Sequence, residues 1–248
     1  MTIFDGNNDC KILFGKDICD VVLTEKTLTY FKQLMNIDAE AYGEEEKGED
    51  CIYIGLIDNY INRFGYLSSD LNAKLGDNGE IDNIIAISKN DIIIGYINYL
   101  TLKNELFNEI INPDIEAYLK DPGRRDDEIS GDQIAHWKDN NNLFILSIAV
   151  KKEYRDSDII KILTNEFLDE LRRKDKAGYK INSITADTVS GHGEKIMKMF
   201  RGKIVQNENG PVILPAPDSD KSGHEVVVRI CEGKNMADLL EYGFNFNF

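Results

Sequence analysis

Residues 143–150, LFILSIAV, constrain the fold more than any other stretch of the chain. The run is apolar apart from Ser147, is bounded by polar residues on both sides, and has the length of one strand. It reads as a strand buried on both faces. A short polar turn follows, and then DIIKILTNEFLDELRRKDKAG. There Ile160, Leu163, Phe167 and Leu171 share one face of a helix. Asp156, Ser157 or Asp158 can cap its start. Arg172, Arg173 and Lys174 suit its C-terminal dipole, and Gly178 suits the residue just beyond. A buried strand that turns directly into an amphipathic helix requires a sheet to bury the strand and a face for the helix to cover.

The rest of the chain supplies that sheet. KILF and DVVL near the N-terminus read as strand pieces. TEKTLTYFKQLMNIDAEAY reads as a helix, with Leu28, Phe31, Leu34 and Met35 near a three-and-four spacing and Thr24 as its start signal. After the charged stretch EEEKGED, CIYIGLIDNYINRFGYL reads as a second helix. Two Ile-rich runs joined by Lys89-Asn90-Asp91 carry a hairpin signal. Gly95, inside the second run, marks a close approach or a bulge. Residues 105–142 are polar and broken by Pro113, Pro122 and Gly123, and read as one long connection. KINSITADTV is a further strand, GHGEKIMKMF a short helix, and RGKIV, PVIL and HEVVVRI strands around a Pro-rich loop. This order predicts an α/β or α+β domain with one mixed sheet. The 248 residues fit one large domain or two small ones, and the chain is read as a single domain spanning 1–248.

Charge narrows the partners. Asp and Glu number 44 against 29 Lys and Arg, a formal charge of −15. Such a surface repels nucleic acid and anionic lipid, so neither is expected as a partner, and it favours cationic ones. Cys10, Cys19, Cys51 and Cys231 form no CxxC pair and no cluster with the three histidines, so no metal site is expected. The start of the chain, MTIFDGNNDC, lacks a basic segment followed by an apolar one. No apolar run approaches the ~20 residues that span a bilayer. A cytoplasmic location with reduced thiols is expected. Richness in Ile, Asn, Lys and Asp points to an AT-rich bacterial genome. There is no Walker loop, no GxSxG, no HExxH and no dinucleotide GxGxxG.

SIAVKKEYRDSDIIKIL resembles the central motif of the GNAT superfamily of acyl-CoA-dependent N-acyltransferases. In that family an apolar strand ending in Val leads through a Pro-Glu-Tyr-like turn, an Arg or Gln and a Gly-rich loop into a helix. Val150, Glu153, Tyr154, Arg155 and Leu163 stand at the matching positions, and Gly202 stands at the family's later helix-to-strand turn. The resemblance covers residues 84–205. It implies a mixed, mostly antiparallel sheet flanked by helices, with acetyl-CoA as co-substrate and no metal. It also implies an amine of a small molecule or peptide as acceptor, and a monomer or homodimer.

The physical basis of such a loop is the start of a helix. Its first N–H groups lack internal partners and carry partial positive charge, so a pyrophosphate can rest on them. The resemblance makes Arg155, Asp156, Ser157, Asp158, Ile159, Ile160 and Lys161 the pyrophosphate cradle. The main chain of Ile148 and Val150 would hold the pantetheine arm, with Ser190 near the thioester. Where the family prefers glycine, this chain has Asp156, Asp158 and Ile160. A carboxylate facing the phosphates would repel them by ~3 kcal/mol at ~5 Å and an effective dielectric of ~20. The outcome therefore depends on where these aspartates point.

Transfer needs a neutral amine and a proton for the leaving thiolate. The family's acid is often a Tyr on the later helix; Lys198 occupies that position here. His192, whose residue type commonly carries protons in catalysis, Tyr99 and Asp187 are the catalytic candidates, with Tyr96 and His136 beside them. Asp38, Glu40 and Tyr42 resemble the acceptor side, and their charge suits a cationic amine. The rival expectation is a catalytically silent GNAT-like module that binds a protein or metabolite without productive CoA binding.

Overall fold

The computed structural model describes residues 10–20, 22–42, 83–120, 135, 137, 141–215 and 225–245. In chain order the elements are β1 (Cys10–Phe14), α1 (Gly15–Ile18), α2 (Glu25–Tyr42), β2 (Ile84–Lys89), β3 (Ile92–Leu102), α3 (Asn104–Ile111), α4 (Ile115–Lys120), β4 (Asn141–Val150) and α5 (Ile159–Lys176). They continue with β5 (Ile181–Thr188), α6 (Gly191–Met199), β6 (Lys203–Ile204), β7 (Gln206–Asn207), β8 (Gly210–Pro211), β9 (Ile213–Leu214), β10 (Val226–Glu232) and α7 (Gly233–Tyr242). The described residues form two compact units whose borders cut through β3, β4 and α5. One holds residues up to Tyr99 together with Ser147–Glu170; the other holds the stretches from Leu100 to Leu146 and from Leu171 onward.

In the first unit the strands run in the order β1-β2-β3-β4. β1 pairs antiparallel with β2, and β2 with β3. The hairpin is tight: Lys89 pairs with Ile92, and Asn90 and Asp91 have φ of 52° and 62°. Two successive left-handed residues make the type I′ turn that matches strand twist. The register slips by one residue beside Gly95, so the expected irregularity there is a bulge. It is also a close approach. A Cβ at Gly95 would lie 2.8 Å from Ile159 Cγ2 and 3.1 Å from Val150 Cγ2.

Helices cover both faces of this sheet. Thr24 starts α2 as expected: its hydroxyl accepts the Thr27 N–H at 3.3 Å, and its carbonyl accepts the Leu28 N–H at 3.0 Å. Phe31, Leu34, Met35 and Ile37 of α2 then pack on Ile84, Ala86, Tyr96 and Ala149. Adjacent strand residues point to opposite faces. Gly95 and Val150, next to Tyr96 and Ala149, accordingly meet Ile159 of α5 on the other side. Ile159, Leu163, Phe167 and Leu168 are the buried apolar positions of α5 here, while Ile160 is half-buried.

The second unit runs in the order β3-β4-β5-β10-β6, with β9 also on β10. The β4–β5 pair is parallel, whereas β5–β10, β10–β6 and β10–β9 are antiparallel. The sheet is thus mixed and mostly antiparallel, as the resemblance implies. Residues 105–142 are not one structureless connection. Leu106, Phe107 and Ile110 bury one side of α3 against Leu100, Leu102, Phe144 and Val228. This spacing was legible, and the polar residues between hid it. α7 was also missed; it buries Met236 and Leu239. Asp20, Val22 and Leu23 are not in a strand, unlike the expectation for DVVL. The expected helix CIYIGLIDNYINRFGYL, EEEKGED, Cys51 and His136 lie outside the described residues, as does the side chain of Tyr42. No helix among the described residues is long and apolar enough to cross a membrane.

Candidate functional site

The strand LFILSIAV does not stay paired to its end. β4 pairs with β5 only from Asn141 to Ile145, against Ile181 to Ala186, and then runs on to Val150. Leu146, Ser147 and Ile148 are half-buried although the rest of the strand is buried, so the expectation of burial on both faces fails at these three positions. They lie where the β5 ladder has ended.

Beyond Val150 the chain makes a 3-10 turn, Lys152–Tyr154, and enters α5. The Lys151 N–H donates to the Ile94 carbonyl at 3.0 Å and holds the end of β4 to β3. The turn is then closed from within. The N–H groups of Tyr154, Arg155 and Ser157 donate to the carbonyls of Lys151, Lys152 and Tyr154 at 2.9, 3.3 and 3.1 Å. Ser157 is the capping side chain: its hydroxyl donates to the Tyr154 carbonyl and accepts the Ile159 N–H at 3.4 Å. The Asp158 carbonyl takes the first helical bond, from the Ile162 N–H at 2.9 Å. That leaves the N–H groups of Ile160 and Lys161 without a hydrogen-bond partner among the described residues, as a helix start must.

The question about the two aspartates has a plain answer. Asp156 and Asp158 are both exposed, and neither carboxylate makes a hydrogen bond or ion pair among the described residues. They do not cap the helix, so they do not compete for its amides. Lys161 is exposed as well. Arg155 is committed elsewhere: its Nε donates to the Val150 carbonyl at 3.2 Å and its Nη2 to the Glu40 carbonyl at 2.9 Å. The Glu40 carboxylate in turn accepts the Lys152 N–H at 3.0 Å. The C-terminal turn of α2 is therefore tied to the loop that leads into α5.

Two residues earlier on α2, Asp38 meets two hydroxyls from the sheet. The Tyr96 hydroxyl donates to Asp38 Oδ1 in a short hydrogen bond, and the Ser147 hydroxyl donates to the same oxygen at 3.1 Å. The two hydroxyls are 3.0 Å apart. Tyr96 is fully buried, while Asp38 and Ser147 are half-buried. Sequence reading weighed Asp38 and Tyr96 separately and passed over Ser147, although it is the one hydroxyl in an apolar strand. Tyr99 is different. It is 1 % exposed, and its ring packs on Phe167 with centroids 4.8 Å apart, which makes it a core residue.

The second unit holds Asp187, Ser190 and His192. Asp187 is half-buried on β5, opposite Val228 of β10. Ser190 caps α6, its hydroxyl accepting the Gly193 N–H at 3.1 Å. That bond is the local reason the helix begins there. His192 is exposed in the first turn. Lys198, at the family's Tyr position, pairs with Glu194 at 2.9 Å, and Glu194 also accepts Arg229 Nη2 at 2.7 Å. The hydrogen bond from Lys198, then the charges of Lys198 and Arg229, hold the Glu194 carboxyl below its ordinary range. Gly202 occupies the turn after α6, and its N–H donates to the Met197 carbonyl at 2.7 Å. A Cβ there would sit 2.8 Å from that same oxygen.

No protein-family model matches the sequence, and no curated protein matches it. Solved structures do. The loading GNATL domain of CurA from Lyngbya majuscula aligns with a TM-score of 0.51 at 9 % identity, over 91 % of this chain and 98 % of that one. The fold is GNAT-like. Drosophila melanogaster polyamine N-acetyltransferase (TM-score 0.47, 12 % identity, 91 % and 100 % covered) is also similar. So is Arabidopsis thaliana Naa50 bound to a bisubstrate analogue (0.46, 13 %, 90 % and 97 %). The strand, turn and helix that carried the GNAT resemblance in sequence are β4, the 3-10 turn and α5 of this GNAT-like fold.

Proposed function

We propose that the chain is an acetyl-CoA-dependent N-acetyltransferase acting on an amine of a small molecule or peptide. The observation that supports this best is the path of β4. It leaves the β5 ladder after Ile145 and ends, through a capped turn, on a helix start whose Ile160 and Lys161 amides have no partner among the described residues. Those residues fit a pyrophosphate. The amides and the helix dipole supply the attraction, the Lys161 ammonium adds charge, and both aspartates are exposed. The main chain of Ile148 and Val150 would hold the pantetheine arm. Acetyl-CoA supplies the acyl group as a thioester. In this reading His192 and Asp187 handle protons, and Ser190 positions the helix that carries His192. Tyr99 and Arg155 act through packing and through the turn.

The silent-module reading has one observation in its favour. The Glu40 carboxylate already sits on an amide of the turn, at Lys152. Thermal denaturation with CoA separates the two. The enzyme reading expects a rise in melting temperature with millimolar CoA and thiol release from acetyl-CoA when amines are added. No shift at that concentration ends the enzyme reading.

A further inference from the structure

The two ends of α6 are held in different ways. Met197 is its buried side chain, and Phe200, just past its last residue, is buried too. The first turn buries none: Gly191 and His192 are exposed, and Gly193 and Glu194 are half-buried. Two of its first three residues are glycine, which gives up the most backbone freedom on ordering. A Cβ at Gly191 would meet nothing within 4 Å, so packing does not call for glycine there. The Ser190 hydroxyl accepts the Gly193 N–H at 3.1 Å, and the Ser190 carbonyl accepts the Glu194 N–H at 2.9 Å. These bonds close the turn on itself. Among the described residues, one hydrogen bond ties a side chain of this turn to the sheet, from Arg229 Nη2 to Glu194.

Arg229 is a firm post for that tie. It sits on β10 between Ala186 of β5 and Ile204 of β6 and is 6 % exposed. Its Nε has no partner, so Glu194 carries its charge pairing. A buried guanidinium that lost this carboxylate would be left uncompensated. Lys198 holds the same carboxylate oxygen at 2.9 Å, but it lies on α6 itself and ties the helix only to itself. Residues two apart on a helix do not share a side. The contact that turns Glu194 to the sheet therefore turns His192 outward, as it is found. We propose that Arg229 is a positioning residue: through Glu194 it fixes the first turn of α6 and with it the place of His192. The inference rests on the acetyltransferase reading for what His192 does there, while the anchoring is measured without turnover.

Amide hydrogen exchange on the full chain tests the anchor. The N–H of residue 194 reports opening of the first turn, and the Phe167 N–H of α5 reports opening of the fold. Arg229→Met and Glu194→Ala are each expected to speed exchange at residue 194 about tenfold or more relative to Phe167. Lys198→Met leaves the Arg229 bond in place, and that ratio is expected to stay within about twofold of wild type. Glu194→Ala, at the half-exposed side of the pair, carries the test if Arg229→Met does not fold. An unchanged ratio in Arg229→Met and Glu194→Ala, or an equal rise in Lys198→Met, overturns the proposal. Thiol release from acetyl-CoA, with 1,4-diaminobutane as the amine, is the second readout. Arg229→Met is expected to lower kcat severalfold with KM for acetyl-CoA within about twofold of wild type. An unmoved kcat overturns the role in placing His192. A wild type that neither binds CoA nor releases thiol fails the acetyltransferase reading, and the exchange ratio still decides the anchor.

Discussion

Arg155 and Glu40 hold each other through the main chain: the guanidinium donates to the Glu40 carbonyl at 2.9 Å, while the Glu40 carboxylate accepts the Lys152 N–H at 3.0 Å. This pair joins the end of α2 to the turn before α5. Arg155→Ala removes two donors to carbonyls, and Glu40→Ala removes the acceptor of Lys152. Each is expected to cost about 1–2 kcal/mol. Urea denaturation measures it through a lower midpoint at unchanged slope. An unmoved midpoint in both variants would show that the clasp contributes nothing.

Asp156 and Asp158 are exposed and close in sequence to the helix start that is assigned to pyrophosphate. In water-like dielectric, a charge ~8 Å away costs about 0.5 kcal/mol. The double variant Asp156→Asn, Asp158→Asn is therefore expected to bind CoA about threefold to tenfold more tightly at low salt. The gain should shrink at 0.5 M salt as the charges are screened. Calorimetry at the two salt concentrations checks both halves.

Gly95 has no room for a side chain. Gly95→Ala places a Cβ 2.8 Å from Ile159 Cγ2 and 3.3 Å from the Ala149 carbonyl. Overpacking of this kind costs about 1–3 kcal/mol, and it pushes on the first residue of α5. A lower melting temperature together with weaker CoA binding is expected. A fully stable variant would mean that Ile159 moves aside freely.

Glu194 links pH to stability. Its folded carboxyl titrates below the ordinary range because Lys198 and Arg229 favour the ionised form. A depressed acid pKa stabilises the fold above the unfolded value and loses that contribution as pH falls through the folded value. Arg229 is 7 % exposed and Glu194 41 % exposed, so solvent screens part of the interaction. Glu194→Gln is expected to lower the melting temperature by a few degrees at pH 7, with wild type and variant converging near pH 3. An equal gap at both pH values would contradict the assignment.

His192 is exposed on the first turn of α6. His192→Ala is expected to lower turnover while leaving CoA affinity intact. Unchanged turnover would remove His192 from the mechanism and leave Asp187 as the remaining candidate.

The parts of this fold that were readable in the sequence are those where one local rule decides. Thr24 as a cap, Asn90-Asp91 as a hairpin turn and Gly95 as a bulge each follow from the chemistry of a few adjacent residues. The turn before α5 was readable for the same reason. What was hidden depends on contacts distant in sequence. Asp38 and Ser147 are 109 positions apart, and only the packing of α2 on the sheet brings them to hydrogen-bond distance. Arg155 looked like a phosphate ligand by position, but its donors go to Val150 and Glu40. Tyr99 stood among the catalytic candidates, and its ring is packed on Phe167. The helices α3 and α7 escaped because each buries only two or three apolar residues in a polar stretch.

A crystal structure of the protein with CoA bound tests the central claim most directly. The account predicts pyrophosphate oxygens ~3 Å from the N–H groups of Ile160 and Lys161, with the carboxylates of Asp156 and Asp158 turned to solvent. Crystals soaked at millimolar CoA that show no pyrophosphate at the start of α5, or either aspartate folded across those two amides, would contradict it.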